Sequence, residues 1–196
     1  MTVKTIGLTG GIGSGKSFIS KIFKLLDIPV YNSDENAKLL MTENKGLKDN
    51  IIKLLGKKSY SSDGQLNRKF ISDSVFNNVE ILAKLNGIVH PAVRKDFNKF
   101  VSEHKYSAYV INEAALFVEN GSHKDFDYLI TVVAPVDLRI ERVMERDQVS
   151  KDEVLLRMSN QSSDEEKKEK SQFLIYNDIT ENLFSQISNI HRKLVK

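Results

Sequence analysis

Residues 10 to 17 read Gly-Gly-Ile-Gly-Ser-Gly-Lys-Ser, and Gly10, Gly15, Lys16 and Ser17 satisfy the spacing G-x-x-x-x-G-K-[ST]. Each residue type in this pattern serves phosphate chemistry. Glycines let a backbone turn with positive φ and approach an anion with no Cβ in the way. The turned backbone, from Gly11 through Ile12, Gly13, Ser14, Gly15, Lys16 and Ser17 to Phe18, presents N–H groups as an anion nest, and the helix that follows adds its dipole. Lys16 supplies an ammonium for the β- and γ-phosphates, and Ser17 a hydroxyl for Mg²⁺. A dinucleotide fingerprint, G-x-G-x-x-G, is not met: started from Gly11 its last position is Lys16, and from Gly13 it is Phe18. The expected ligand is therefore a nucleoside triphosphate with Mg²⁺.

Such a loop specifies the ligand and not the reaction. Guanine selection needs Asn-Lys-x-Asp, but Asn44-Lys45 and Asn98-Lys99 are followed two places on by Leu47 and Val101. ATP is thus expected. Phosphoryl transfer to a hydroxyl needs a carboxylate at the end of a neighbouring strand, where open α/β sheets bind their ligands. Asp34, just past a short apolar segment, meets that need as a base, and Asp-Glu-Asn-Ala would equally suit a helix N-cap. Glu113, after the apolar run 108–112, reads either as an acid holding Mg²⁺ through water or as a surface acid after a strand. Arg139, Arg142 and Arg146 follow in one charged segment. Arg142 and Arg146 share a helical face, either as a lid over ATP or as a solvated pair matched by Glu141 and Glu145.

The elements that must hold these residues follow from periodicity. Val3 to Thr9 is a buried strand ended by glycines, and apolar residues at 18, 19, 22, 23, 25 and 26 predict a helix. Ile28 to Tyr31 is a second strand, completing a βαβ unit. Residues 34 to 104 read as mostly helical, an insertion expected to bind the acceptor. Strands resume at 108–112, 128–133 and 173–176, with a helix over 136–147. The stretch 148–172 reads as polar and mobile. Ile179, Leu183, Phe184, Ile187, Ile190 and Leu194 form the apolar face of a closing helix. The fold class expected is α/β: a five-stranded parallel sheet flanked by helices, core 1–33 and 105–196, insertion 34–104, and an arginine lid over 138–172.

Composition narrows the setting. The 196 residues, 40% apolar and 28% charged, suit one globular domain with a small added lobe. A net charge of +3 with interspersed signs gives no footing for nucleic acid. The lack of cysteine removes disulfides, thiolate zinc sites and cysteine nucleophiles. No segment reads as a signal peptide or a membrane span, so a cytoplasmic protein is expected, a monomer or weak homo-oligomer.

These motifs together resemble the dephospho-CoA kinase family along nearly the whole chain. The family's opening Leu-Thr-Gly-Gly-Ile-Gly-Ser-Gly-Lys-Ser stands at Leu8 to Ser17, and its acid after the second strand, followed by an alanine, at Asp34 and Ala37. Asp63-Gly64-Gln65-Leu66-Asn67-Arg68, Leu85-Asn86 with His90-Pro91, and Leu116-Phe117-Val118-Glu119 are similar to further family motifs. Arg142 to Asp147 resembles the lid motif, and Arg157-Met158-x-x-Gln161 the helix after it. The resemblance implies a P-loop kinase that phosphorylates the ribose 3′-hydroxyl of dephospho-CoA with ATP. It implies Asp34 as base, Arg142 and Arg146 on the lid, and Arg68 and His90 on the acceptor side. Taken by itself, His90 before Pro91 reads as a structural histidine at a helix start. The chain departs from the family at Asn32, where many members carry Asp, at Glu113-Ala114-Ala115 and at Asn177-Asp178-Ile179. Other readings of the residues are a nucleoside monophosphate or shikimate-type kinase and a non-catalytic ATP-binding module.

Overall fold

The computed structural model describes residues 3–76, 78–178, 180 and 182–196. Two compact units are formed, one from residues 1–32 with 103–196 and one from 33–102.

The first unit is built on five parallel strands: β1 (Lys4–Thr9), β2 (Val30–Asn32), β3 (Tyr109–Glu113), β4 (Tyr128–Val133) and β5 (Phe173–Tyr176), in the order β2-β3-β1-β4-β5. The first strand lies at the centre because its Ile6 and Leu8 are fully buried, which a strand flanked on both edges and both faces requires. Alternate residues supply the two faces. Ile6, Leu8, Tyr109, Ile111, Ile130, Val132 and Ile175 pack with α1 (Lys16–Leu25) and α9 (Leu183–Leu194) through Ile19, Ile22, Phe23, Ile187, Ile190 and Leu194. On the other face Leu129 joins Ala114, Phe117, Val118 and Phe126.

The helical spacing at 18–26 holds, but Phe18 and Leu25 are exposed, as is Phe184 of the closing helix, so the buried stripes are narrower than their apolar residues. Ile179 lies outside the described residues. The stretch 148–172, expected to be polar and mobile, folds into α7 (Lys151–Ser159) and α8 (Asp164–Glu169) after α6 (Val136–Asp147). Short-range polarity hid the reason. Ser150 and Glu153 form a reciprocal capping box, Ser163 caps α8, and Lys167 is buried against Glu119.

The second unit contains α2 (Ser33–Glu43), α3 (Lys45–Leu55), α4 (Arg68–Phe76) and α5 (Val79–Glu103). Leu47, Ile51, Tyr60, Ile71, Leu85 and Val89 form its core, and one antiparallel bridge joins Tyr60 to Leu66. The helix start expected at His90-Pro91 is not there. Helix α5 begins eleven residues before His90 and runs through Pro91. Apolar residues at Leu85, Val89 and Phe97 keep one buried stripe on both sides of the proline, and this packing outweighs the local preference for a break.

Candidate active site

The strand order places a phosphate loop where the fold offers one. The chain leaves β1 between β3 and β4, at the point where connections run to opposite sides of the sheet, and ligands of open α/β sheets bind there. Residues 10–15 form the loop and α1 starts at Lys16. The Ser14 N–H donates to the Gly11 carbonyl (3.1 Å), closing a tight turn, and the Phe18 and Ile19 N–H groups donate to the Gly15 carbonyl. Gly15 caps the helix at φ 94°, a left-handed conformation, and a Cβ there would fall 2.0 Å from Asn177 Nδ2. That amide donates to the Ser14 carbonyl at 2.8 Å, so Asn177, the residue after β5, pins the loop across the sheet edge. Lys16 Nζ donates to the carbonyls of Gly10 (2.9 Å) and Gly11 (3.3 Å). The Ser14 hydroxyl is buried with no hydrogen-bond partner among the described residues.

Glu113 ends β3 and is buried, which removes the reading of a surface acid. Sheet register explains its place: Leu8 and Asn32 are its partners on the two neighbouring strands. Its carboxylate accepts from Ser17 Oγ (3.2 Å), Ser20 Oγ (3.1 Å) and Asn32 Nδ2 (3.3 Å). Three neutral donors solvate a buried anion and hold it beside the Ser17 hydroxyl. One carboxylate and one hydroxyl fit Mg²⁺, which keeps several waters and takes its remaining ligands from phosphates.

The arginines divide. Arg142 reaches the carbonyls of Gly13 (3.4 Å) and Asn177 (3.5 Å) and so stands over the loop. Arg146 is paired with Asp147 (2.7 Å) and not with Glu141 or Glu145, and Asp147 also takes Arg157 of α7 (2.7 Å). These two cations hold the Asp147 carboxyl below its usual range, the Arg146 hydrogen bond foremost. Arg139, the third arginine of the segment, is the buried one. It donates to the Ile12 carbonyl (2.9 Å) and to both oxygens of Asp164 (2.9 and 2.8 Å).

Asp34, Arg68 and His90 belong to the second unit. Asp34 is the second residue of α2, inside the first turn and not its cap, where the helix dipole favours a carboxylate. Arg68 opens α4. His90 is solvent-exposed on α5, and its pKa is lowered, first by partial desolvation and then by the Arg94 cation. Sequence reasoning passed over Arg139, Asn177 and Gln161 as loop-holding residues and Ser20 as a partner of Glu113. A signal existed for Asn177, which follows a strand at its carboxyl end, and for Arg139, one turn before Arg142. Gln161 stood in the family-like motif Arg157-Met158-x-x-Gln161, and Ser20 carries no such mark.

A parallel sheet with this loop at its switch point defines a P-loop enzyme of the kinase type. Residues 4–182 match the family model described as dephospho-CoA kinase. A dephospho-CoA kinase of Bacteroides fragilis is 37% identical over 188 residues, 95% of this chain and 90% of that protein. A solved structure from Thermus thermophilus superposes with a TM-score of 0.85 at 27% identity, covering 100% of this chain and 97% of that one. The dephospho-CoA kinase structure from Campylobacter jejuni, at 24% identity, shares the fold with a TM-score of 0.71, covering 97% and 96%. The chain belongs to the dephospho-CoA kinase family.

Proposed function

We propose that this chain transfers the γ-phosphoryl group of ATP to the ribose 3′-hydroxyl of dephospho-CoA, yielding CoA and ADP. The observation that carries the reading is the phosphate loop joined to Glu113 through Ser17, in a chain matched to the family from residue 4 to 182. The loop 11–18 binds the triphosphate through amides other than those of Ile12, Ser14 and Phe18, which already donate within the protein, and Lys16 exchanges its two loop carbonyls for phosphate oxygens. Ser17 directly, and Glu113 through water, would hold Mg²⁺, which supplies positive charge to the β- and γ-phosphates.

The acceptor oxygen attacks the γ-phosphorus as the bond from that phosphorus to the β–γ bridging oxygen breaks. The hydroxyl proton passes to Asp34, and ADP leaves. Arg142, over the loop, stabilises charge on the phosphoryl oxygens, and Arg146 joins it once released from Asp147. The helical unit receives the acceptor through Arg68 and His90. The lowered pKa of His90 keeps its ring neutral at neutral pH, so it offers a hydrogen bond while Arg68 supplies charge. Among the described residues no helix is long and apolar enough to cross a membrane. We take the enzyme to act in the cytoplasm, on a small molecule and not on nucleic acid.

The test is an acceptor panel read as ADP formed with Mg²⁺. Dephospho-CoA should stimulate ADP release and gain one phosphate at the 3′ position. Stimulation by shikimate or a nucleoside monophosphate, with none by dephospho-CoA, would replace this reading.

A further inference from the structure

Ile12 lies between Gly11 and Gly13, so the backbone at this point of the phosphate loop has little stiffness of its own. Both backbone polar groups of Ile12 are nevertheless engaged, and by side chains from outside the loop. Its N–H donates to Gln161 Oε1 at 2.8 Å, and its carbonyl accepts from Arg139 Nε at 2.9 Å. Arg139 is only 4% exposed and is itself held by both carboxylate oxygens of Asp164. The Ile12 side chain packs with Ile140, Val143, Val154 and Met158 of α6 and α7. Gly11 leaves room for this arrangement, since a Cβ there would stand 2.1 Å from Arg139 Nη2.

Three separate links from the segment 139–164 thus converge on one residue of the loop. We propose that Gln161 and Arg139 are positioning residues for ATP: by fixing Ile12 from outside, they hold the neighbouring loop amides aimed at the phosphates before the nucleotide arrives. The inference rests on the reading that the loop binds ATP. Its physical content is preorganisation, because a loop already ordered loses less conformational freedom on binding. Gln161 acts only as an acceptor here. A side chain with an acceptor oxygen at the same reach should therefore serve, and one without should not.

The experiment compares wild type with Gln161→Ala, Gln161→Glu and Arg139→Lys. It measures ADP affinity by calorimetry, KM for ATP and kcat, and hydrogen exchange of the Ile12 amide. In Gln161→Ala the Ile12 amide should exchange faster, and ADP Kd and ATP KM should rise about tenfold, the loss expected when one buried donor goes unpaired. The change in kcat should be smaller. Gln161→Glu, which keeps an acceptor oxygen, should restore slow exchange of the Ile12 amide, while its added negative charge keeps ADP affinity below wild type. Arg139→Lys, which cannot serve Asp164 and the Ile12 carbonyl together, should weaken ADP in the same direction and provides the test if Gln161→Ala does not fold. A lowered Tm with unchanged ADP Kd in either weakening variant would overturn the proposal, leaving these residues a purely structural role. Wild-type protein that binds neither ADP nor ATP would overturn it together with the reading of the loop.

Discussion

Asp34 and Glu113 are two carboxylates in different surroundings, and the proposed mechanism gives them different tasks. Glu113 is buried, with three neutral donors on its oxygens, so its lone pairs are directed toward Ser17, Ser20 and Asn32. Asp34 is exposed in the first turn of α2. A group that takes a proton from a substrate needs access, while one that anchors a metal through water needs a fixed direction. If Asp34 is the base, Asp34→Asn should lower kcat by about 10²- to 10⁴-fold while ADP affinity stays within about twofold of wild type. Single-turnover kinetics with calorimetry would check both. A kcat near wild type would remove Asp34 from the mechanism.

The segment after α6 shows what holds a charged stretch of chain in helices. Lys167 of α8 is fully buried and paired with Glu119, and it also donates to the Ser162 carbonyl (3.0 Å). Lys167→Ala should destabilise the protein by about 3–5 kcal/mol, since it strands a largely buried carboxylate; urea unfolding would measure this. Glu119→Gln in the same chain should recover part of the loss. The Arg146–Asp147–Arg157 cluster is more exposed and contributes less. Asp147 has a lowered pKa in the folded state, so its stabilisation is complete above the ordinary carboxylate range and is lost as pH falls through the lowered value. The Tm difference between wild type and Asp147→Asn should therefore be small and constant near neutral pH, and should shrink toward zero in strong acid. A difference that grew on acidification would contradict the assignment of charge at this cluster.

Two units with separate cores make up the chain, and the phosphate loop draws its supports from one of them: Asn177, Arg139, Gln161 and Glu113 all lie in 103–196. Damage to the other core should then spare nucleotide binding. Ile51 is fully buried in the 33–102 unit, and Ile51→Ala should cost about 2–5 kcal/mol. At temperatures where the protein stays folded, ADP affinity should match wild type while KM for dephospho-CoA rises. Parallel weakening of both ligands would tie the loop to the helical unit's core.

The loop spacing and the five strand segments were legible because each rests on local chemistry: glycines where φ must be positive and β-formers in short runs. The helix through Pro91 was not legible, because its reason is a buried stripe that no single dipeptide reveals. Nor were the helices of 151–169, whose charged surface masks a buried lysine. Residues alone also left Glu113 divided between a surface acid and a metal anchor. Register removed the surface reading by setting Asn32 and Leu8 beside Glu113 on adjacent strands. The pinning of Ile12 by Gln161 and Arg139 spans 149 and 127 residues of chain. Spacing along a chain reports only neighbours within a few turns, and groups that distant come together only when the sheet and helices pack.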